Sequence, residues 1–489
     1  MALIKVSDLT FSYESSPDEI FSGASFQIDT DWKLGFCGRN GRGKTTFLKL
    51  LMGMYEYGGT ITVPALNISY FPFVVDEPIL DTLNILQSVS PEAQLWQIQK
   101  EIGRLEMGEE VLYRPFSTLS NGEQTKVLLA GLFLRENNFL LVDEPTNHLD
   151  ILARETVARY LNSKAGFILV SHDRVFLDNC VDHILSINRA NIEVMKGNFS
   201  TWNKQKKQQD ALELAQNVRL KKEIGRLQES AERTARWSDK VEKTKIGGGA
   251  AKGHIGRMSA KMMKRSMSTQ RRRQEAVDEK SKLLKNIEAA NTELKLHPLE
   301  YHSRRLLSLE DVSIFYGERE VVKNLSLGLE QGERLALMGG NGTGKSSILK
   351  LICGEDISHT GRVSVNSRLI ISYVPQDTSS IAGDLKNYAR ENQIDETLFK
   401  AILRKLDFSR NQFEKNMSDY SAGQKKKVLI ARSLCQHAHV YIWDEPLNYI
   451  DVLSRMQIEE LIIAYRPTII FVEHDRAFCD CIATKSLLL

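Results

Sequence analysis

Residues Gly38–Thr46 read "GRNGRGKTT" and Gly339–Ser347 read "GGNGTGKSS", and the reading of these two strings decides the fold. Both fit G-x-x-x-x-G-K-[ST], and the first lies between an apolar run, "LGFC", and a helix-forming stretch, "FLKLLMG". Glycines let successive backbone N–H groups curl around phosphate oxygens, the lysine reaches the β- and γ-phosphates, and the hydroxyl after it can ligate Mg²⁺. The cradle residues are Gly38, Asn40, Gly41, Gly43, Lys44, Thr45 and Thr46 in one string, and Gly339, Asn341, Gly342, Gly344, Lys345, Ser346 and Ser347 in the other. One match can be accidental. Two in register make nucleotide binding the expectation.

Working outward, whatever flanks the first string recurs around the second. "STLSNGEQTKVLLA" (Ser117–Ala130) pairs with "MSDYSAGQKKKVLIA" (Met417–Ala431), "FLLVDEP" (Phe139–Pro145) with "VYIWDEP" (Val440–Pro446), and "LVSHDR" (Leu169–Arg174) with "FVEHDR" (Phe471–Arg476). The offset is 301 residues at the glycine loops, at Ser120 and Ser421, and at Asp143 and Asp444, and 302 at His172 and His474. Four motifs holding register mean one domain duplicated, over residues 1–198 and 303–489. Each copy opens with strand-like alternation ("ALIKVSDLTFSY", "LLSLEDVSIFYG") and continues strand, glycine loop, helix and buried strand. That order predicts an α/β domain with a largely parallel core sheet.

With 489 residues, 42% hydrophobic and 26% charged, the chain has the composition of a soluble globular protein with room for two or three cored domains. Its six cysteines form no CxxC pair, which argues against zinc, a cluster or a disulfide framework and for a reducing cytosol. Apolar runs are strand-sized, far below the roughly 20 residues that cross a bilayer, and "MALIKVSDLTFSY" does not read as a signal peptide. The net charge of +3 hides an asymmetry: 20 Lys/Arg face seven Asp/Glu between Lys204 and Arg273. Charge concentrated in this way reads as an interaction element, a solvated helical face being the plainer alternative.

That basic segment fills the linker, residues 199–302. From about Trp202 to Val241 and from about Arg257 to Lys295, helix formers predominate. Leu220, Ile224, Leu227 and Ala231 in one arm, and Val277, Leu284, Ile287 and Leu294 in the other, give a thin apolar seam suited to a two-helix coiled coil. The glycines of "KTKIGGGAAKGHIGR" (Lys243–Arg257) fall where a hairpin must turn. The string lacks a preceding buried strand and a G-K-[ST] ending, so it is no third nucleotide loop. Ten Lys/Arg and no acid between Lys243 and Arg273 suit phosphate contacts, with few aromatics for base stacking. Lys243, Lys245, Ile246, Lys252, His254, Ile255 and Arg257 are the candidate RNA- or tRNA-contacting tip.

The repeated acidic pairs carry the remaining chemistry. Asp143 and Asp444, at strand ends, can hold the Mg²⁺ shell together with Thr45 and Ser346. Glu144 and Glu445 can orient and activate an attacking water, and His172 and His474 follow strands that bring an imidazole to the same phosphate. A lone Ser-x-Gly-Gln/Glu string would mean a capped helix start.

Together these motifs resemble the ATP-binding cassette superfamily, and "LSNGEQ" (Leu119–Gln124) and "YSAGQK" (Tyr420–Lys425) look like its signature sequence. The resemblance implies that the cofactors are ATP and Mg²⁺ and that each signature caps the ATP of the opposite cassette within one monomer. It assigns Ser120, Gly122 and Glu123, and Ser421, Gly423 and Gln424, to ATP. Tyr13 and Tyr316 match its adenine-stacking aromatic, and Gln376 in "ISYVPQ" matches its Mg²⁺-contacting glutamine. The equivalent "ISYFPF" ends in Phe73, and the second signature departs with Tyr420 and Ala422. In a head-to-tail pair both departures fall in one composite site, so two unequal sites are expected. One has Lys44, Asp143, Glu144, His172 and Ser421, and the better-matched one has Lys345, Gln376, Asp444, Glu445, His474 and Ser120.

Two cassettes joined by a basic helical hairpin resemble, over essentially the full length, the ABC-F family of ribosome-associated ATPases. "KGNFSTWNKQK" (Lys196–Lys206) and "GRMSAKMMKRSM" (Gly256–Met267) look like that family's hairpin entry and its descent from the tip. The resemblance implies a cytoplasmic protein bound at the exit site of the bacterial ribosome. Its hairpin would run over large-subunit RNA and peptidyl-site tRNA toward the peptidyl transferase centre. Rival readings are the ATPase subunit of a membrane exporter, which would leave the basic hairpin unexplained, and a DNA-repair ATPase, which would carry longer insertions. Within ABC-F, Phe73 and Ser120 lie 47 residues apart against 45 for Gln376 and Ser421, leaving no room for a large inserted arm in the first cassette. That favours the antibiotic-resistance members, which dislodge ribosome-targeting drugs, over general translation factors that relieve stalled ribosomes.

Overall fold

The computed structural model describes residues 2–13, 19–147, 149–187, 192–243, 296–340, 342–406, 408 and 410–489. It divides into two compact units, Met1–Ser200 with Leu294–Leu489, and Thr201–Glu293.

In the first cassette, β1 (Leu3–Ser12), β2 (Glu19–Asp29), β3 (Lys33–Gly38), β4 (Gly58–Thr62), β5 (Asn67–Phe71), β6 (Asn138–Asp143), β7 (Phe167–Val170), β8 (His183–Ile187) and β9 (Ile192–Lys196) form two sheets. One is antiparallel in the order β2-β1-β4, and the other runs β5-β6-β7-β3-β8-β9, parallel except for β9. The second cassette repeats this with β10 (Arg305–Tyr316), β11 (Arg319–Glu330), β12 (Arg334–Met338), β13 (His359–Val365), β14 (Ile371–Val374), β15 (Val440–Asp444), β16 (Ile469–Val472) and β17 (Lys485–Leu488). Its antiparallel sheet is β11-β10-β13 and its parallel sheet β14-β15-β16-β12-β17.

The parallel strands are buried on both faces, which is why "FLLV" and "VYIW" are continuous apolar runs and not alternating ones. Phe36, Phe47 and Phe139 fill the first core beside the antiparallel sheet, and Trp443, Tyr441 and Phe471 the second beneath the signature helix. The parallel order puts the carboxyl ends of β3, β6 and β7, and of β12, β15 and β16, along one edge each, where ligands of open α/β sheets bind.

The segment after the linker joins the second cassette earlier than its composition suggested. Leu296 is buried with Leu434 and Ala438, and the Leu299 amide donates to the Ala438 carbonyl at 2.8 Å.

In the other unit the sequence-predicted first arm is a single helix, Phe199–Lys243, about 67 Å long at 1.5 Å per residue. Leu212 and Val218 are exposed on it. The returning arm and the tip residues Lys245, Ile246, Lys252, His254, Ile255 and Arg257 lie outside the described residues.

Candidate functional site

Each glycine loop passes straight into a helix, Lys44–Leu51 or Lys345–Ile352. Gly43 and Gly344 precede these helices at φ 92° and 88°. A Cβ on either would come within 2.4 Å of Ile20 or 2.5 Å of Val322, so conformation and space both demand glycine there. The Lys44 ammonium donates to the carbonyls of Gly38 (2.7 Å) and Arg39 (3.1 Å) and to Asn40 Oδ1 (3.3 Å). Lys345 does the same to Gly339 (2.9 Å) and Gly340 (2.7 Å). Burial lowers the pKa of both lysines against the pull of nearby carboxylates. Asn341 lies outside the described residues.

Behind each lysine stands the strand-end aspartate. Asp143 Oδ2 accepts from the Thr45 hydroxyl and the Tyr70 phenol, both at 2.9 Å. Asp444 hydrogen-bonds Ser346 and leaves Oδ1 buried with no partner. A buried carboxylate oxygen beside a hydroxyl is a donor set for a hard divalent cation, so the second site fits Mg²⁺ without rearrangement, whereas in the first the Tyr70 phenol already shares the oxygen.

Both candidate general bases occupy left-handed backbone, Glu144 at φ 52° and Glu445 at φ 45°, a conformation that costs energy in a non-glycine residue. The neighbouring strand fixes it, since their amides donate to the carbonyls of Val170 (2.8 Å) and Val472 (3.0 Å). Their carboxyls then differ. Glu144 Oε1 lies 3.1 Å from His172 Nε2 without a hydrogen bond. Burial, reinforced by Asp143, pushes Glu144 up to about 8. His172 falls well below its ordinary value through burial and the Lys44 and Arg455 charges. Glu445 Oε2 accepts from Gln376 (2.8 Å) and Asn448 (2.7 Å), with His474 Nε2 3.6 Å from Oε1. Burial would raise Glu445, yet the His474, Gln376 and Lys426 groups around it leave it below its ordinary value.

The cassettes close on each other through these same loops. The Asn40 amide donates to the Tyr449 carbonyl at 2.7 Å and Arg39 to that of Lys405 at 3.3 Å, covering the first glycine loop with second-cassette backbone. Asp451 is the largest favourable charge acting on Lys44. In the reverse direction Arg154 reaches the His474 carbonyl at 3.0 Å. A cavity of about 610 Å³ opens over the second loop, where Asn121, Leu149 and Arg154 from the first cassette meet Lys345, Gln376 and Glu445. Asn121, next to Ser120, and Ala422, next to Ser421, both line this cavity.

Ser120 and Ser421 also cap their own helices, accepting from the amides of Glu123 and Gln424, both at 3.3 Å, and those two side chains fold back onto the serine amides. The plain capping role is therefore present at both helix starts. Tyr316 stands half exposed on the cavity wall, with its phenol 3.0 Å from Ser347. Tyr13, 2.9 Å from Thr46, is packed edge-on by Phe11 and Tyr55.

Sequence reasoning passed over Tyr70, Asn448, Arg154, Lys426 and Glu473. The last two were visible in the repeat register, where the first cassette has Thr125 and Ser171. Nothing in the string marked the other three.

The ABC transporter family pattern matches residues 21–147 and again 322–448, the two stretches that build these loops. The chain belongs to the ABC transporter family. Its cassettes are ATPase domains, and the activity they carry is ATP hydrolysis. Relatives matching nearly the whole chain include the probable ATP-binding protein YbiT of Escherichia coli O157:H7, 27% identical over 98% of this chain and 95% of that protein. The ribosome protection protein VmlR of Bacillus subtilis is 28% identical over 98% and 85%. ABC transporter F family member 2 of Arabidopsis thaliana is 24% identical over 99% and 76%. Among solved structures, the archaeal ribosome recycling factor aABCE1 in complex with the stalk protein aP1 shares the fold. Its TM-score is 0.64 at 18% identity, over 98% of this chain and 87% of that one. RNase-L Inhibitor superposes at TM-score 0.59 and 19% identity, over 93% and 82%.

Proposed function

We propose that this protein is a ribosome-binding ATPase of the ABC-F type that dislodges ribosome-targeting antibiotics. The observation that carries this reading is the pairing of two cassettes on one chain with a long basic helical linker, a plan that matches a ribosome protection protein over 98% of the chain. No helix among the described residues is long and apolar enough to cross a membrane.

At each site the glycine loop and Lys44 or Lys345 bind the phosphates, and Thr45 with Asp143, or Ser346 with Asp444 and Gln376, hold Mg²⁺. When bound, that ion neutralises phosphate charge and orients the γ-phosphoryl group. Glu445, held by Gln376 and Asn448, orients the attacking water in the second site, and His474 stands beside the γ-phosphoryl group that is transferred to that water as ADP departs. Ser120 and its loop complete that site from the first cassette, and Ser421 completes the other. Tyr316 offers adenine an open ring face, and Tyr13 plays the lesser part. In the closed state the linker tip lies in large-subunit RNA beside peptidyl-site tRNA, and hydrolysis opens the pair. The ribosome is entered at its exit site, and the protein acts as a monomer in the cytoplasm.

The test is expression in a susceptible bacterium, with drug susceptibility and ribosome co-sedimentation in ATP measured for the chain and its Glu144→Gln, Glu445→Gln variant. Raised inhibitory concentrations for the active chain alone, with the variant trapped on ribosomes, support the reading. Unchanged concentrations with trapping retained would favour the second reading, a general translation factor, which several relatives carrying only "ATP-binding protein" in their names also fit. Failure to co-sediment would end both.

A further inference from the structure

Behind Glu445 the second cassette buries two charges that the first lacks. Lys426 stands where the first cassette has Thr125, and Glu473 where it has Ser171. Both are almost fully inaccessible, and charges so placed cost several kcal/mol each unless their hydrogen-bonding capacity is used. Lys426 donates to the carbonyls of Pro375 (2.8 Å), Asp444 (3.1 Å) and Gln376 (3.4 Å). An ammonium has three donors, and these three carbonyls can take all of them on the wall of the cavity. Glu473 accepts from the amides of Leu447 (2.7 Å) and His474 (3.2 Å). At the matching place in the first cassette the Ser171 hydroxyl meets, among the described residues, the Thr146 hydroxyl and the Asp173 amide, both at 3.2 Å.

The five backbone groups gathered by these two side chains belong to the segments that carry Gln376, Glu445, Asn448 and His474. Thr125 is too short to bridge three carbonyls, and Ser171 presents one oxygen where Glu473 presents two. We propose that Lys426 and Glu473 are positioning residues that lock the three segments of the second site together, holding the Gln376 and Asn448 amides on Glu445 and thereby committing that site to turnover. The first site, without them, hydrolyses more slowly. This rests on the assignment of Glu445 as the second site's general base.

The experiment measures kcat and KM for ATP in a Glu144→Gln background, so that only the second site turns over. Lys426→Thr and Glu473→Ser each give the second cassette the first one's residue. Each is expected to lower kcat about tenfold, because sub-ångström misplacement of catalytic groups costs rate, with KM shifted by less than about twofold. Lys426→Arg, which keeps a multidonor cation, should recover part of the rate. Lys426→Met keeps the buried stem and carries the same expectation as Lys426→Thr should the shorter side chain fail to fold. Unchanged kcat in Lys426→Met and Glu473→Ser, or a raised KM at unchanged kcat, overturns the proposal. Glu445→Gln in the same background separates the two levels. If it abolishes turnover while the Lys426 and Glu473 variants stay active, the positioning role alone falls, and if it leaves turnover intact the base assignment falls and takes the positioning role with it.

Discussion

The two glycine loops are nearly superimposable in sequence, yet the described groups around their two general bases differ. Over the first, Asn40 and Arg39 are tied to second-cassette carbonyls, and Glu144 is buried with one oxygen unsatisfied and its carboxyl pushed toward the neutral form. Over the second lies a cavity of about 610 Å³, and Glu445 accepts from two amides and stays below its ordinary value, the His474, Gln376 and Lys426 groups outweighing burial. A duplicated scaffold can therefore keep its glycine loops and acidic pairs and still surround its two candidate bases differently, and a general base depends on its neighbours as much as on its own identity. The surrounding interface differs in the same sense: Arg174 grips Glu459 with both guanidinium nitrogens in a buried setting, while its counterpart Arg476 meets Glu155 at 2.8 Å in the open.

The strongest way to break this comparison is to remove each base in turn. Glu445→Gln should lower steady-state ATP turnover about 100-fold or more, the scale of a lost general base, and Glu144→Gln only a few-fold. Equal residual rates would erase the distinction. Next in size is the interface. Arg174→Ala strands Glu459 in a buried site and should cost about 3 kcal/mol in denaturant unfolding, against less than about 1 kcal/mol for the exposed Arg476→Ala. Comparable losses would mean that the two sides of the interface are equivalent.

A gain-of-function variant sharpens the contrast. Phe73→Gln in a Glu445→Gln background supplies the first site with the missing amide, and should raise its residual turnover about threefold, on the scale of one neutral hydrogen bond. The smallest effect concerns pH. Burial lifts Glu473 from 4.5 to about 7, with Arg455 and His474 opposing and Asp475 adding to the rise. Below about pH 4.5 the carboxyl is protonated folded or unfolded. Between there and about pH 7 the folded chain retains a proton that the unfolded chain has lost, so this group's contribution to stability falls as pH rises. Melting curves of Glu473→Gln should decline less over that window than those of the parent.

The repeat register and the two G-x-x-x-x-G-K-[ST] strings were sufficient to determine the α/β cassettes, their number and the strand–loop–helix setting of each glycine loop. These are local matters: a glycine in left-handed backbone, an apolar run ending in acid, a capped helix start. The departures at Phe73, Tyr420 and Ala422 were equally legible. Only the tertiary structure decided which groups surround them. That the Tyr449 carbonyl covers Asn40, that Tyr70 shares Asp143, that Arg154 reaches the backbone of His474, and that Lys426 satisfies three carbonyls all follow from contacts between segments tens to hundreds of residues apart. No periodicity encodes such contacts, because burial and hydrogen-bond satisfaction are properties of the packed chain. The same motif can therefore sit among different neighbours in the two cassettes.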